Sequence, residues 1–208
     1  MSPTERAHAV FERLDPLYPD KRPLLHYASP FELLIAVILS AQTTDAQVNR
    51  VTPELFRRYP TPEELAQAEP ADLESLIYST GFYRSKAKSI RAAARSLAEE
   101  HDGRVPNTMA GLTKMPGVGR KTANVLLGVL YDEPSIVVDT HFARVVRRIG
   151  LTDSKQPEQI ERAMRDILPR DIQTDFSMVI NFHGRYVCTA RAPRCPECPI
   201  ASVCLYVS

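Results

Sequence analysis

Proline opens helices in this chain more often than it ends them, and that habit constrains the fold more than any other feature. Ser29-Pro30-Phe31-Glu32 places a hydroxyl at an N-cap and a proline at the first helical position, where a missing N–H costs nothing. The glutamate that follows is spaced to close a capping box ahead of the apolar run ending at Ala41. Thr61-Pro62-Glu63-Glu64 repeats the pattern, and the 17 prolines are expected mostly to punctuate helix starts. Arg84 to His101 carries alanines, a leucine and an isoleucine at helical spacing, with Gly103 where a helix would stop. Lys121–Tyr131, Thr140–Gly150, Glu158–Leu168 and Asp175–Val187 read as further helices, and the sole β-like run is Ser135–Val138, behind a proline. The predicted class is all-α. No low-complexity stretch or solenoid repeat interrupts it, and composition barely changes at the one plausible seam, Asp132-Glu133-Pro134.

A chain of 208 residues suits one or two domains, each with its own core. Its longest apolar run, Phe31–Ala41, is shorter than the about 20 residues a bilayer requires, and no basic-then-apolar leader opens the sequence. The expectation is a protein of the cytoplasm or nucleoid with no membrane partner. Net charge is only +1, but it is segregated: twelve acidic residues face seven basic ones up to Thr80, whereas Arg84–Lys121 holds nine basic residues against three acidic. A local basic surface attracts phosphate whatever the total, although solvated helix faces give the same composition.

All four cysteines, Cys188, Cys195, Cys198 and Cys204, fall in the last 21 residues with spacing C-x6-C-x2-C-x5-C. Four thiolates on one loop can converge on a single centre, either tetrahedral zinc or a cubane iron–sulfur cluster. Two disulfides are the alternative, which a reducing compartment disfavours. Zinc ribbons bring two C-x2-C pairs and only Cys195 and Cys198 form one, so the spacing leans toward iron–sulfur.

The segment Leu112-Thr113-Lys114-Met115-Pro116-Gly117-Val118-Gly119-Arg120-Lys121-Thr122-Ala123 reads as two helices joined by a glycine-rich turn. Glycines permit unusual dihedrals and remove side chains, so main-chain N–H groups of Gly117, Val118 and Gly119 can approach an anion, and the following helix adds its positive end and Arg120. Together these form a sequence-independent clamp for DNA phosphate, the helix-hairpin-helix; a plain αα-hairpin turn, which also favours glycine, is the alternative that the doubled glycine and the flanking Arg120 and Lys121 disfavour. Lys121 is then a phosphate contact or a nucleophile. The positive helix end and Arg120 both disfavour a second cation, which favours the neutral amine able to attack a sugar C1′. Asp139, in Val137-Val138-Asp139-Thr140-His141, precedes a helix and suits an N-cap, which alone would explain an aspartate there; a functional role for it would be to accept a proton from Lys121 and stabilise positive charge on the sugar, and the two roles are compatible.

These motifs, with Leu39-Ser40-Ala41-Gln42-Thr43-Thr44-Asp45 and His183-Gly184-Arg185-Tyr186-Val187-Cys188, resemble the endonuclease III family over nearly the whole chain. Met115, where leucine is commoner, is the one small variation. The resemblance implies two helical domains flanking a DNA-binding cleft. One is a six-helix barrel with a helix-hairpin-helix (22–133); the other (1–21 and 134–208) carries a [4Fe–4S] cluster on the four cysteines. It implies Lys121 as nucleophile, Asp139 as its partner, and Arg191 and Arg194 presented to the DNA backbone. Chemistry on a paired base requires flipping it from the stack. Gln42 and Phe82 match the family's intercalating positions, although Gln42 also reads as a helix-end glutamine and Phe82 taken alone reads more readily as core, and Asp45 and His141 match the base pocket. The implied activity is a bifunctional glycosylase and abasic-site lyase. Its partner is double-stranded DNA containing oxidised pyrimidines or abasic sites, and a monomer is expected to perform it.

Two other readings compete. A monofunctional adenine glycosylase relative would lack Lys121 and carry a recognition domain beyond the cysteines, where only four residues follow Cys204. A non-enzymatic helix-hairpin-helix module would keep Gly117 and Gly119 without needing both Lys121 and Asp139.

Overall fold

The short motif Ser2-Pro3-Thr4-Glu5 nucleates the first helix, α1 (Pro3–Leu14): Ser2 Oγ accepts from Glu5 N at 3.2 Å and Glu5 Oε2 accepts from Ser2 N at 2.6 Å, a closed capping box. The computed structural model describes residues 1–207, and among them it contains helices, short 3₁₀ turns and no β-strand. After α1 come α2 (Pro30–Leu39), α3 (Asp45–Arg58), α4 (Pro62–Ala66), α5 (Pro70–Ile77), α6 (Tyr83–Glu100), α7 (Met109–Lys114), α8 (Arg120–Tyr131), α9 (Thr140–Ile149), α10 (Pro157–Ile167) and α11 (Gln173–Tyr186). Ser29 and Thr61 cap α2 and α4 as their spacing predicts. The Glu32 carboxylate accepts from Ala28 N, one residue before the cap.

The chain divides into two units, Pro23–Tyr131 and the remainder, 1–22 with 132–207. Arg22, Asp132 and Glu133, expected with the barrel, lie in the second of these. In the Pro23–Tyr131 unit α2 is buried on all sides, as an apolar helix without a polar face must be. Val48 and Leu55 of α3, Leu73 and Ile77 of α5, Ile90 and Leu97 of α6 and Leu126 of α8 close around it. Alanines 87, 93 and 94 keep the inner face of α6 slim, and α2, α4 and α5 all pack on that helix.

In the other unit α1 packs on α10 and α11, inserting Ala7, Val10 and Leu14 beside Phe142, Ile160 and Phe176. Phe11 and Phe142 both approach the Phe176 ring, with centroids at 6.1 and 6.3 Å. Gly184 of α11 sits against α9 so closely that a Cβ there would lie 3.0 Å from His141 Cβ and from Val145 Cγ2. The run Ser135–Val138 forms no strand. Its main chain is satisfied by side chains of α11: Ser135 N donates to Thr174 Oγ1 at 3.0 Å and Val137 N to Ser177 Oγ at 2.8 Å. No helix among the described residues is long and apolar enough to cross a membrane.

Candidate nucleic-acid interface and active site

The hairpin is anchored from below and bare on top. Leu112, Met115, Val118 and Ala123 are buried in the core of their unit, and two tight bonds, Met115 N to Leu112 O at 3.0 Å and Val118 N to Met115 O at 3.1 Å, fold the turn. Val118 therefore faces inward, and its N–H, held by the Met115 carbonyl, is not the open anion donor that the sequence suggests. Gly117 adopts φ +77°, and a Cβ there would meet Ser89 Cβ at 2.9 Å and Ile38 Cγ2 at 3.2 Å. Gly119 is different: a Cβ would meet nothing within 4 Å. Its carbonyl accepts from Ala123 N at 2.9 Å, which makes it the cap of α8, and it has no side chain to satisfy the N–H groups of that first turn. Arg120 and Lys121 follow, both exposed.

Two loops of the same unit carry residues forced into strained backbone. Only four described non-glycine residues have positive φ, and Gln42 (φ 54°) and Phe82 (φ 48°) are two of them. Gln42 is exposed just after α2. Phe82 is 64 % exposed, so it is not the core side chain that its type suggests. The loop beneath it is tied down: Thr80 Oγ1 donates to Ile77 O at 2.7 Å, and Gln47 Nε2 donates to Ser79 Oγ at 2.6 Å. Lys86, only 5 % exposed, reaches back to donate from Nζ to Thr80 O at 2.8 Å, and burial lowers its pKa. Asp45 is the half-buried first residue of α3, behind the Thr44 cap.

In the second unit Asp139 caps α9, its Oδ1 accepting from Phe142 N at 2.7 Å. The other oxygen, Oδ2, accepts from Asn181 Nδ2 at 2.6 Å, and Asn181 Oδ1 accepts from Arg185 Nε at 2.8 Å. His141 Nδ1 lies 3.3 Å from Arg144 Nη2. A guanidinium can only donate, so Nδ1 accepts and Nε2 carries the proton of the neutral ring. None of these helpers was singled out from sequence. Arg185 lies in the quoted His-Gly-Arg-Tyr motif, but nothing local marks Asn181 or Arg144.

No disulfide joins the four cysteines, and all four line one pocket with Val145, Ile149, Ile200 and Tyr206. Arg148 of α9 organises the loop, donating to Cys188 Sγ at 3.3 Å, Thr189 O at 2.8 Å and Ala190 O at 2.9 Å, with its guanidinium 4.5 Å above the Tyr206 ring. Buried His183 places Nε2 3.5 Å from Cys198 Sγ. Burial pushes the Cys198 and Cys204 thiols up, a penalty that a cationic centre among them reverses. Four sulfurs that no disulfide ties up, around one largely apolar pocket, fit an iron–sulfur group. Arg191 and Arg194 are exposed on the Cys188–Cys195 loop, and Arg194 bonds the Tyr186 carbonyl through Nη2.

Comparison with known proteins follows the same two regions. Residues 35–170 match the model of the HhH-GPD superfamily of base excision DNA repair proteins, and residues 188–204 match the iron–sulfur binding domain of endonuclease III. Endonuclease III of Synechocystis sp. is 46% identical over 207 residues, spanning 98% of this chain and 93% of that protein. The Escherichia coli (strain K12) endonuclease III is 41% identical over 197 residues, spanning 95% and 93%. Two solved structures superpose at TM-score 0.94 and 38% identity over 100% of this chain. One is a non-covalent endonuclease III–DNA complex, covered over 97%, and the other is a trapped endonuclease III–DNA covalent intermediate, covered over 98%.

Proposed function

Because the chain belongs to the HhH-GPD superfamily of base excision DNA repair proteins, in its endonuclease III branch, we infer that it is a DNA glycosylase that also cleaves the strand at the abasic site it makes. The observation that carries the reading is the hairpin. Lys121 stands exposed in the first turn of a helix whose cap, Gly119, leaves its upper side open for a phosphate. Gly117 and Gly119 engage the backbone through main-chain N–H groups, assisted by Arg120, while Val118 holds the turn in shape through its bond to the Met115 carbonyl; Arg191 and Arg194 add charge from the cysteine loop. Gln42 and Phe82 fill the space a flipped base leaves; the strained backbone of both, and the tied-down loop beneath Phe82, suit rigid wedges. Asp45 and His141, the latter through Nε2–H, read the extruded base. The substrates are oxidised pyrimidines in duplex DNA, and a single chain acts on them in the compartment that holds the chromosome.

The neutral Lys121 amine attacks C1′ while the glycosidic bond breaks and its electron pair leaves with the base. Asp139 takes the proton from the new ammonium and stabilises the positive charge on the sugar. Breaking C1′–O4′ then opens the sugar, the electron pair going to O4′, which takes up a proton, and leaves an imine at C1′; this acidifies the 2′ carbon, and loss of a proton there expels the 3′ phosphate by β-elimination. The [4Fe–4S] cluster on Cys188, Cys195, Cys198 and Cys204 supplies a charged node that orders the surrounding loop.

The test is borohydride trapping on a duplex with one thymine glycol. Wild type should give a covalent adduct and Lys121→Gln none, with cleavage lost by about a thousandfold or more and duplex affinity within a few-fold, since the hairpin main chain remains. Cleavage at the wild-type rate by Lys121→Gln would remove the nucleophile assignment. Trapping only on a preformed abasic site would restrict the activity to the lyase step.

A further inference from the structure

An aspartate that merely caps a helix needs one oxygen for the purpose. Asp139 has both engaged: Oδ1 with the Phe142 N–H, and Oδ2 with the side chain of Asn181 at 2.6 Å. The first bond leaves the carboxylate free to rotate about a soft sp³–sp² torsion. The second removes that freedom. We propose that Asn181 is a positioning residue for base excision, holding the plane of the Asp139 carboxylate through an amide that Arg185 orients in turn. The proposal rests on the reading of Asp139 as the carboxylate that serves Lys121.

The orientation of the amide follows from donor chemistry. Arg185 Nε lies 2.8 Å from the Asn181 side chain and can only donate, so it selects Oδ1 and leaves the Nδ2 hydrogens for Asp139. Asn181 and Arg185 are four residues apart on α11, which puts them on one face of the helix. Gly184 lets α11 lie against α9 where a Cβ would crowd His141, and this close packing brings Asn181 within reach of a residue at the start of α9. A carboxylate in this setting keeps lone pairs beyond the two used, so being held does not prevent it from accepting a proton. Leucine at 181 would keep the branching at Cγ and lose the tether.

The experiment measures single-turnover release of thymine glycol by wild type, Asn181→Leu, Asp139→Asn and the double variant, all carrying the cluster. Asn181→Leu is expected to slow release about ten- to a hundredfold, the span of one hydrogen bond to a charged group. Its affinity for a duplex with an uncleavable abasic analogue and its cluster absorbance should stay at wild-type values. In the Asp139→Asn background the same change should add nothing, because its effect runs through the missing carboxylate. A wild-type rate for folded Asn181→Leu, or an equal slowing in both backgrounds, would overturn the proposal. If instead Asp139→Asn itself releases base at the wild-type rate, the reading of Asp139 fails and takes the proposal with it. Should Asn181→Leu not fold, Asn181→Ser removes the amide without apolar bulk and carries the same expectations.

Discussion

Gly117 and Gly119 lie two residues apart in one turn and answer to different demands. Gly117 is fixed by its positive φ and by Ser89 beneath it, so Gly117→Ala should lower unfolding free energy by about 1–3 kcal/mol in urea titrations. Gly119 meets no such obstacle. Gly119→Ala should shift stability by less than about 0.5 kcal/mol while weakening duplex DNA several-fold, measured by fluorescence anisotropy. Equal stability losses at both positions would mean that the turn, and not a ligand, requires the second glycine. Lys86 offers a residue-scale test by pH. Burial lowers its folded pKa below the unfolded value near 10.5, so in the window between the two the unfolded chain holds more protons and folding gains as pH rises. Wild type should therefore gain stability relative to Lys86→Met between neutral and alkaline pH, read from paired urea melts, whereas a constant difference would contradict the burial effect. Candidate site residues could be proposed from sequence where a motif holds them. Phe82 was ambiguous because its exposure depends on a left-handed backbone and on a lysine four residues later, neither of which its local pattern reveals.

At the scale of elements, hydroxyl–proline–acid starts were reliable because capping is local chemistry: Ser29 and Thr61 need only neighbours within three residues to be satisfied. Runs whose hydrogen bonds go elsewhere were not. Ser135–Val138 has the composition of a strand, yet its donors end on Thr174 and Ser177, some forty residues away. The interior proline of α3, Pro53, likewise obscures a 14-residue helix that packing retains despite one lost main-chain bond. The α9–α11 pair depends on a glycine no periodicity would mark. Gly184→Ala should cost about 1–3 kcal/mol by forcing α11 away from His141 and Val145, and thermal melts should show it as a clear fall in midpoint. An unchanged midpoint would show that the two helices tolerate a wider spacing.

For the whole molecule, neither net charge nor composition announces a DNA-repair enzyme. The information lies in how the basic residues between Arg84 and Lys121 and the cysteines after Val187 are distributed. Boundaries were least legible, since the break after Tyr131 coincides with no change in composition, and the partners of Asp139 and Cys188 become visible only once α9 and α11 are packed. Cys198→Ser should lose the brown colour and visible absorbance of an iron–sulfur protein and most of its soluble yield; full colour in that variant would show that Cys198 is not a ligand. The placement of α1 has a further consequence, for biosynthesis. Its apolar face, Ala7, Val10 and Leu14, is completed by Ile160, Met164 and Phe176, which leave the ribosome some 150 residues later. The intervening unit can collapse on the nascent chain, but the first helix made must wait, uncovered, for nearly the last. Ribosomal pausing beyond Tyr131 would then leave a finished hairpin on a polypeptide that still exposes a sticky helix, a natural target for chaperones.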